Sequence, residues 1–287
     1  MVKPIEGVSE KWTEAEAAEI AENFGRLHGY NAAREAKYNR NLNRYYNNGK
    51  GDALATIWNP GYQSLGFNRT MFEDASVQTK LNVIKSAPDT IVSKLSQARV
   101  RPFFDATRGT YETIKAARAS QRYIDRYFDL KKIYEKSPEV ARSALIFDAG
   151  HWWVDEDNLD VKPLPHWSLF IDPYEYNDGG MEACTYGMVF RRQYAFSLVD
   201  QQFPKAKELD KYRASNKRGI RGEFVVYWDL KAKKKYYFFN KVLIWKKSID
   251  YAILPFTSMW WTPPILGWST TCLADDLYTI QVEIDEL

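Results

Sequence analysis

The first half of the chain has apolar residues at helical spacing. Ala17, Ile20, Phe24 and Leu27 recur every three or four positions, which predicts an amphipathic helix. The preceding Thr13-x-x-Glu16 is a capping box, so this helix is expected to begin near Glu14. A second helix is predicted over 31–46, and the turn residues of "NNGKGD" should end it.

Helical spacing continues through the middle of the chain. It runs on both sides of Pro88, where we expect a kink or a new helix start, and ends at Arg101-Pro102. A long basic amphipathic helix is predicted over 109–136. Ser137-Pro138-Glu139 should then cap another helix that reaches Gly150.

After Gly150 the pattern changes to short runs of aromatic and β-branched residues separated by turn signals, which is typical of strands. The runs are "HWWV", "VKPLPHWSLFID", "ACTYGMVFRRQY", "GEFVVYWDL", "KYYFFNKVLIW" and "YAILPF", and "DLKAKKKYYFF" is expected to contain a hairpin turn. One helix, over about 195–209, interrupts them.

The chain closes on a further helical pattern. Leu273, Leu277, Ile280 and Ile284 share one face, and Ser269 or Thr270 is expected to cap it. Acidic residues crowd its far end, where cations are favoured, and no Gly or Asn cap follows. One interpretation is an ordinary frayed end; we prefer the expectation that the chain is the front part of something longer.

These patterns predict an α+β fold with a helical N-terminal half and a sheet-rich second half. Four regions are expected: N-terminal helices at 1–50, a helical region at 51–150, a β-rich region at 151–262 and the start of a further helix at 263–287.

Composition limits the class of protein. The 287 residues are 45% hydrophobic, which is ample for a core, and no apolar run is long enough to predict a membrane span. No secretory signal is visible at the N-terminus. Cys184 and Cys272 lack the spacing of a disulfide framework or zinc site, and His28, His151 and His166 lack a metal-binding spacing. We therefore expect no cofactor and no metal.

Known catalytic motifs are missing, and one acidic cluster is the plausible exception. The chain has no P-loop, no G-x-G-x-x-G after a strand, no G-x-S-x-G and no H-E-x-x-H. Asp155, Glu156, Asp157 and Asp160 could bind a metal, but they lack the Gly and Glu of an EF-hand loop. A solvated turn is the favoured interpretation.

Two basic features could contact phosphate or an acidic partner. The first comprises residues near two turns of the sheet region: Lys217, Arg218, Arg221, Lys231, Lys233, Lys234 and Lys235. The alternative is a charged surface that keeps a sheet edge from pairing. The second is Arg118, Arg122 and Arg126, four apart on one helix face, which could instead be solvated or pair with Asp125 and Asp129.

Five stretches, in order along the chain, resemble the portal proteins of tailed bacteriophages. They are "REAKYNRNLNRYYNNG" (Arg34 to Gly49), "NVIKSAPDTIVSKLSQARVRPFF" (Asn82 to Phe104), "ALIFDAGHWW" (Ala144 to Trp153), "HWSLFIDPYEYNDGG" (His166 to Gly180) and "LPFTSMWWTPPILGWSTTCLADDLYTIQVEIDEL" (Leu254 to Leu287). The family-like structural positions within them are Asp89, Arg101, Pro102, Asp172, Pro173, Pro255, Gly267 and Gln281. The segment from Tyr194 to Arg221 has no counterpart in this resemblance.

The resemblance implies a structural role. The chain would be the wing-side portion of a portal subunit, with the last helix leading towards a stem and the channel. Subunits of this family form a ring, typically of twelve copies, at one vertex of the capsid. Double-stranded DNA is packaged and released through the ring. The implied partners are further copies, the large terminase, the capsid protein and head-completion, adaptor or tail proteins; no membrane is implied.

The resemblance also implies a location and a lack of catalysis. The subunit would assemble in the host cytoplasm and reside in the virion, and it would not itself be an enzyme. Asp172 before Pro173 would end a strand and accept a local turn hydrogen bond. Two alternatives stay open: a metal-dependent phage nuclease that uses the acidic residues at 155–160, and a monomeric DNA-binding accessory protein.

Overall fold

The fold is described from a computed structural model, which covers residue 5 and residues 9–46, 82–99, 101–106, 109–156, 160–214 and 219–286. The described residues are α+β, with helices before Ala149 and antiparallel sheets after it. The predicted fold class is thus confirmed. The turn "NNGKGD" lies outside the described residues.

The N-terminal part is helical. Helix α1 (Glu14–Tyr30) begins where the capping box predicts, since the Thr13 side chain accepts a hydrogen bond from the Glu16 N–H. It is followed by α2 (Ala32–Tyr46), α3 (Val83–Gln97), α4 (Tyr111–Leu130) and α5 (Ile133–Phe147). Pro88 lies inside α3, so the helix continues through it, and α3 ends before Arg101-Pro102.

The predicted helix over 109–136 is wrong at its C-terminal end. Helix α4 ends at Leu130. Lys132 takes a left-handed φ of 54°, and the next helix, α5, begins at Ile133. Pro138 lies inside α5 instead of at its start, and the neighbouring Ser137 hydroxyl donates to the Ile133 carbonyl at 2.8 Å. A proline early in a helix removes only one hydrogen bond, so packing can override it.

The second part contains two antiparallel sheets. A three-stranded sheet has the order β2-β1-β8, from β1 (Ala149–Asp155), β2 (Asp160–Leu164) and β8 (Phe256–Trp260). A five-stranded sheet runs in sequence order, from β3 (Leu169–Ile171), β4 (Tyr186–Ala195), β5 (Arg221–Asp229), β6 (Lys234–Phe239) and β7 (Val242–Ser248).

Short helices connect the strands. Helix α6 (Pro173–Gly179) follows β3, and α7 (Phe196–Gln202) and α8 (Asp210–Ala214) lie between β4 and β5. The single helix predicted over 195–209 is therefore interrupted, at Pro204, which has no N–H to continue it. Two short helices, α9 (Leu273–Asp276) and α10 (Tyr278–Glu286), come last.

Three strand predictions also need correction. "VKPLPHWSLFID" is not one strand but β2 and β3, which belong to different sheets and are separated by a 3₁₀ turn over His166–Ser168. "KYYFFNKVLIW" is not one strand but β6 and β7, because Asn240 and Lys241 both take positive φ and form a two-residue turn. "YAILPF" is mostly not a strand. Only Phe256 pairs, and the strand continues to Trp260 against β1.

The five-stranded sheet is buried on both faces, which explains its almost continuous apolar strands. Phe224, Val226 and Trp228 of β5 face one core with β1 and β8, where Trp228 packs edge-on against Trp153 at 5.9 Å. Val225 and Tyr227 face a second core covered by α1. The side-chain period of two assigns alternate residues of one strand to the two cores.

Gly150 fixes how closely α5 approaches β1. A Cβ at this position would lie 1.9 Å from the Val140 carbonyl oxygen, a distance at which backbone would have to move. Within the described residues, no helix is both long and apolar enough to cross a membrane.

Candidate functional site

One face of α2 supplies a set of polar side chains to the interior. Arg34, Lys37, Tyr38, Asn41 and Arg44 recur every three or four residues, so they line up along the helix. Arg34, Tyr38 and Asn41 are buried, and the Asn41 amide donates to the Ile146 carbonyl of α5 at 3.1 Å. This face therefore packs polar groups against the end of α5.

Asp148 lies at the step from α5 to β1, beside Lys37 of this helix face. It is fully buried, and its φ of 114° marks the sharp change of direction between the two elements. Its Oδ2 accepts hydrogen bonds from the Ser269 hydroxyl at 3.1 Å and the Thr270 N–H at 3.2 Å, with the Lys37 Nζ 3.7 Å away. Ser269 and Thr270 thus bind Asp148 instead of capping the last helices, and Cys272 takes the N-cap position of α9.

Two buried histidines continue the cluster. His166 Nε2 lies 2.7 Å from Asp148 Oδ1, and His166 Nδ1 lies 2.7 Å from His151 Nε2. His151 Nδ1 is in turn 2.8 Å from the Ser258 hydroxyl, and an Arg34 guanidinium nitrogen is 3.0 Å from His166 Nε2. The two rings stack with centroids 4.6 Å apart.

This geometry favours neutral imidazoles. A hydrogen bond between two ring nitrogens needs one donor and one acceptor. Since His166 Nε2 faces the Asp148 carboxylate, its Nδ1 is the acceptor, and a proton added there would set two N–H groups against each other. Burial and the charge of Arg34 lower the pKa of His166 to about 4, although Asp148 opposes them. Burial, His166 and Arg34 hold the pKa of His151 well below its ordinary value.

Asp148 stays ionised despite its burial. Burial alone would raise its pKa, but His166, Arg34 and Lys37 outweigh that effect and lower it. A buried carboxylate is stable only when it is paired and hydrogen-bonded, and Asp148 meets both conditions. The residues Arg34, Lys37, Asn41, Asp148, His151, His166 and Asp275 are called the polar junction below.

The second acid of the polar junction holds the last helices. Asp275 Oδ2 lies 3.1 Å from Lys37 Nζ, and its Oδ1 is 3.5 Å from an Arg44 nitrogen. Next to it, the Cys272 thiol donates to the Ile146 carbonyl at 3.1 Å. Burial raises the pKa of the Cys272 thiol to about 12, so it remains protonated and unreactive.

Helix α3 is tied to the same region. The Val83 N–H, at the start of α3, donates to the Gln281 side chain of α10 at 2.8 Å. The Asp89 carboxylate accepts from the Tyr45 hydroxyl at 2.8 Å and from Arg142 Nε at 3.2 Å. Asp89 therefore connects α2, α3 and α5.

The polar junction and the contacts around it connect five stretches of the chain: 34–49, 82–104, 144–153, 166–180 and 254–287. Each stretch contributes to it or to the contacts around it: α2, α3, the step from α5 to β1, the turn that carries His166, and the segment from Leu254 onwards. His151, His166 and Asp148 are fully buried. Chemically, the arrangement is a largely buried set of ion pairs and hydrogen bonds that joins separate elements.

The other family-like positions are also placed in turns and caps. Asp172 caps α6 and accepts from the Tyr174 N–H at 2.9 Å, with Pro173 as the first helical residue and β3 ending at Ile171. Gly267 takes a left-handed φ of 72° and its N–H donates to the Asn177 side chain. The Pro255 carbonyl accepts from Val154, while Arg101 is exposed and Pro102 half-buried in the segment after α3.

The predicted basic contacts separate into different environments. Lys231, Lys233 and Lys234 lie in or beside the turn between β5 and β6, and Arg221 is exposed at the start of β5. Lys234 lies 3.7 Å from Glu10 and Lys231 lies 3.9 Å from Glu175. Lys217 and Arg218 lie outside the described residues.

Lys235 has to be removed from this set of candidate contacts. Its side chain is fully buried between aromatic rings, and its Nζ lies 2.5 Å from Glu156. The strand alternation directs it inward, so it cannot reach a phosphate or a partner.

The acidic cluster at 155–160 is occupied by lysines of the same chain. Asp155 pairs with Lys162 at 2.5 Å, Glu156 pairs with Lys235, and Asp160 lies 3.7 Å from both Lys131 and Lys136. Asp157 lies outside the described residues. Across the described part of the chain, no group of three or more His, Cys, Asp or Glu side chains is arranged to hold a metal ion.

The sequence-based reasoning missed the polar junction. His151 and His166 are fifteen positions apart, and neither has a metal-like spacing, so nothing marked them as partners. One feature of the sequence could have indicated it: polar side chains recur with the helical period along α2. Such a repeat is unusual on a helix face that packs inward.

No family model and no curated protein matches this chain.

Proposed function

We propose that this chain is a structural subunit of a bacteriophage portal ring at the capsid vertex. Such a ring is the conduit for DNA packaging and ejection. It is also the docking platform for the large terminase, the capsid protein and the head-completion, adaptor or tail proteins. The proposed location is the virion, after assembly in the host cytoplasm.

One observation carries this proposal: five stretches that resemble portal proteins in order along the chain also meet in space. Polar residues of four of them form the polar junction around Asp148 and His166. Asp89 and Gln281 connect the remaining stretch, which carries α3, to its neighbours. Residues that are far apart in sequence converge in this way when they maintain one fold. The resemblance therefore falls on residues that together build one structural region, as a shared fold requires.

The local contacts favour this proposal over the nuclease alternative. Asp155 and Glu156 each pair with a lysine, and Asp155 is buried. A metal-dependent nuclease needs carboxylates that are free to bind the ion. These two instead neutralise buried or half-buried lysines.

The test is electron microscopy of the natural gene product, purified at micromolar concentration. We expect rotationally symmetric rings with a central hole wide enough for a DNA duplex. Particles that remain monomers at all concentrations would contradict the proposal.

A parallel assay addresses the two alternatives. The same preparation is incubated with double-stranded DNA, with and without Mg²⁺ or Mn²⁺. Metal-dependent cleavage that is lost in Asp155→Asn/Asp157→Asn would support the nuclease. Salt-sensitive DNA binding by monomers, without cleavage, would support the accessory protein.

A further inference from the structure

Helix α4 makes only limited contact with the rest of the described chain. None of its twenty residues is buried, although it carries large apolar and aromatic side chains. Tyr111 is 80% exposed, Tyr123 66% and Leu130 77%, and the ring contact to α5 comes from Phe128, which packs on Tyr134 at 5.7 Å. An amphipathic helix with this much exposed apolar surface is typical of an interface.

One face of α4 forms a basic ridge. Tyr111, Lys115, Arg118, Arg122 and Arg126 follow each other at steps of three or four residues, and all five are exposed. Their Cα atoms extend over about 22 Å along the helix, at 1.5 Å per residue.

The cations of the basic ridge are unpaired. Among the described residues, no carboxylate lies within 4.0 Å of the four cationic groups. The expected pairing with Asp125 does not form, since Asp125 accepts a hydrogen bond from Gln121 at 3.2 Å. The basic ridge is therefore available to an acidic partner.

Helix α1 offers the opposite charge. Its outer face carries Glu14, Glu19 and Glu22, all exposed and, among the described residues, without an ion pair; the exposed Arg26 follows one turn after Glu22, at the end of this face. The residues between them on this side are small and exposed: Ala15, Ala18, Ala21 and Gly25. Small side chains allow another helix to approach closely, so this acidic face suits a helix as its partner.

A cavity adjoins the acidic face of α1. It has a volume of about 300 Å³ and is lined by α1 and the sheet, including Ile20, Ala21, Phe24, Gly25, Val225 and Tyr227. A cavity of about 150 Å³ already holds a benzene ring, so one aromatic side chain fits. The Tyr227 hydroxyl is buried and has no hydrogen-bond partner among the described residues.

The two faces match in length when the helices run antiparallel. Eleven positions separate Tyr111 from Arg122, and eleven separate Gly25 from Glu14. With Tyr111 placed at the cavity beside Gly25, Lys115 comes level with Ala21, one residue from Glu22, and Arg118 comes level with Ala18, one residue from Glu19. Arg122 then comes level with Glu14.

We propose that the basic ridge of α4 in one copy docks antiparallel on the acidic face of α1 in the next copy, with Tyr111 entering the cavity beside Gly25. The occupant of both faces is thus a second copy of this chain. Because the two faces differ, the contact is head-to-tail and generates a closed ring when its rotation closes. The inference rests on the proposed function and names the surfaces that would join its subunits.

The test is a charge exchange in the natural gene product, followed by sedimentation. One variant is Arg118→Glu/Arg122→Glu, and the other is Glu14→Arg/Glu19→Arg. All four positions are exposed, so both variants should fold. Each alone should assemble at least tenfold more weakly, and an equimolar mixture should regain assembly because every contact then joins opposite charges.

Two matched controls accompany the charge exchange. Lys85→Glu/Lys94→Glu makes the same change of charge as the first variant, at two exposed positions of α3, and should leave assembly unchanged. Tyr111→Ser should weaken assembly, whereas Tyr123→Ser, on another face of α4, should not.

The outcomes separate the two proposals. Rings that form unchanged in both charge variants overturn this interface but leave the portal proposal standing. Failure of the mixture to regain assembly also overturns it. An unmodified gene product that stays monomeric at all concentrations overturns both proposals.

Discussion

Lys235 is buried in the fold, although its neighbours in the sequence suggest an exposed position. In the sequence it belongs to a run of lysines at a turn, yet the first residues of β6 alternate in direction and bury it beside Trp228. Its ammonium group is compensated by Glu156 at 2.5 Å. A buried charge that lacks a partner costs more folding free energy than an exposed charge, because water cannot solvate it.

We predict different costs for two lysines of this run. Lys235→Ala should lower the free energy of unfolding by about 2–3 kcal/mol, since it leaves Glu156 without its partner and opens a space among aromatic rings. Lys233→Ala, in the exposed turn, should change it by less than about 0.5 kcal/mol. Urea unfolding measures both values, and equal effects would contradict the burial of Lys235.

The buried histidines make stability depend on pH. The native pKa of His166 is about 4, below its ordinary value of 6.5, and that of His151 is also lowered. The unfolded chain therefore binds more protons than the native state as pH falls below about 6.5. The stability from the neutral rings is complete above pH 6.5 and is lost towards pH 4.

We predict that the free energy of unfolding falls between pH 6.5 and pH 4. The slope should reach about 1.4 kcal/mol per pH unit for each ring that must bind a proton. His151→Gln should reduce the slope, whereas His28→Gln, outside the polar junction, should keep it. Urea titrations at pH 7.5, 5.5 and 4.5 provide the measurement. A slope that is the same in all three proteins would contradict the role of the pair.

At the scale of elements, the contact between α5 and β1 positions Asp148. Gly150 lets the first residues of β1 lie against Val140 of α5, and Asp148 turns the chain between them. The same strand then carries His151 inward. A small residue at one position therefore supports the geometry of the whole polar junction.

We predict that Gly150→Ala destabilises the protein by more than about 3 kcal/mol, because the added Cβ overlaps the Val140 carbonyl. Gly29→Ala is the matched control: no atom lies within 4 Å of its added Cβ. It should be neutral or stabilising by up to about 1 kcal/mol, as expected for a helical glycine. Thermal unfolding compares the two, and a tolerated Gly150→Ala would contradict the close approach.

At the scale of the whole molecule, opposite charges lie on different helices. The acidic face of α1 and the basic ridge of α4 find no partner among the described residues, so their charges can act between copies. Such exposed charges attract over about 10 Å at 0.1 M salt and over shorter distances at higher salt.

We predict that assembly of the natural gene product weakens as NaCl rises from 50 to 500 mM. Sedimentation velocity at fixed protein concentration measures the fraction assembled. The Arg118→Glu/Arg122→Glu variant should show a smaller dependence, since its contact has lost the attraction. Assembly that strengthens with salt would instead indicate a mainly apolar contact.

Local sequence patterns were enough to predict the fold class and most of the longer helices. The capping box at Thr13, the cap at Asp172 and the strand periodicity depend on neighbouring residues, so they can be read without the fold. The break at Lys132 was not readable in this way, because a residue with no turn propensity adopts positive φ there. Packing of α5 decides it.

Only the tertiary structure decided which polar residues act together. Arg34, Asp148 and His166 come from three separate elements, and their contacts depend on how those elements pack. The same holds for Lys235, whose burial depends on the second sheet that covers its strand. Ion pairs and hydrogen bonds require atoms that are close in space, whatever their separation in sequence. The polar junction therefore forms only when the chain is folded.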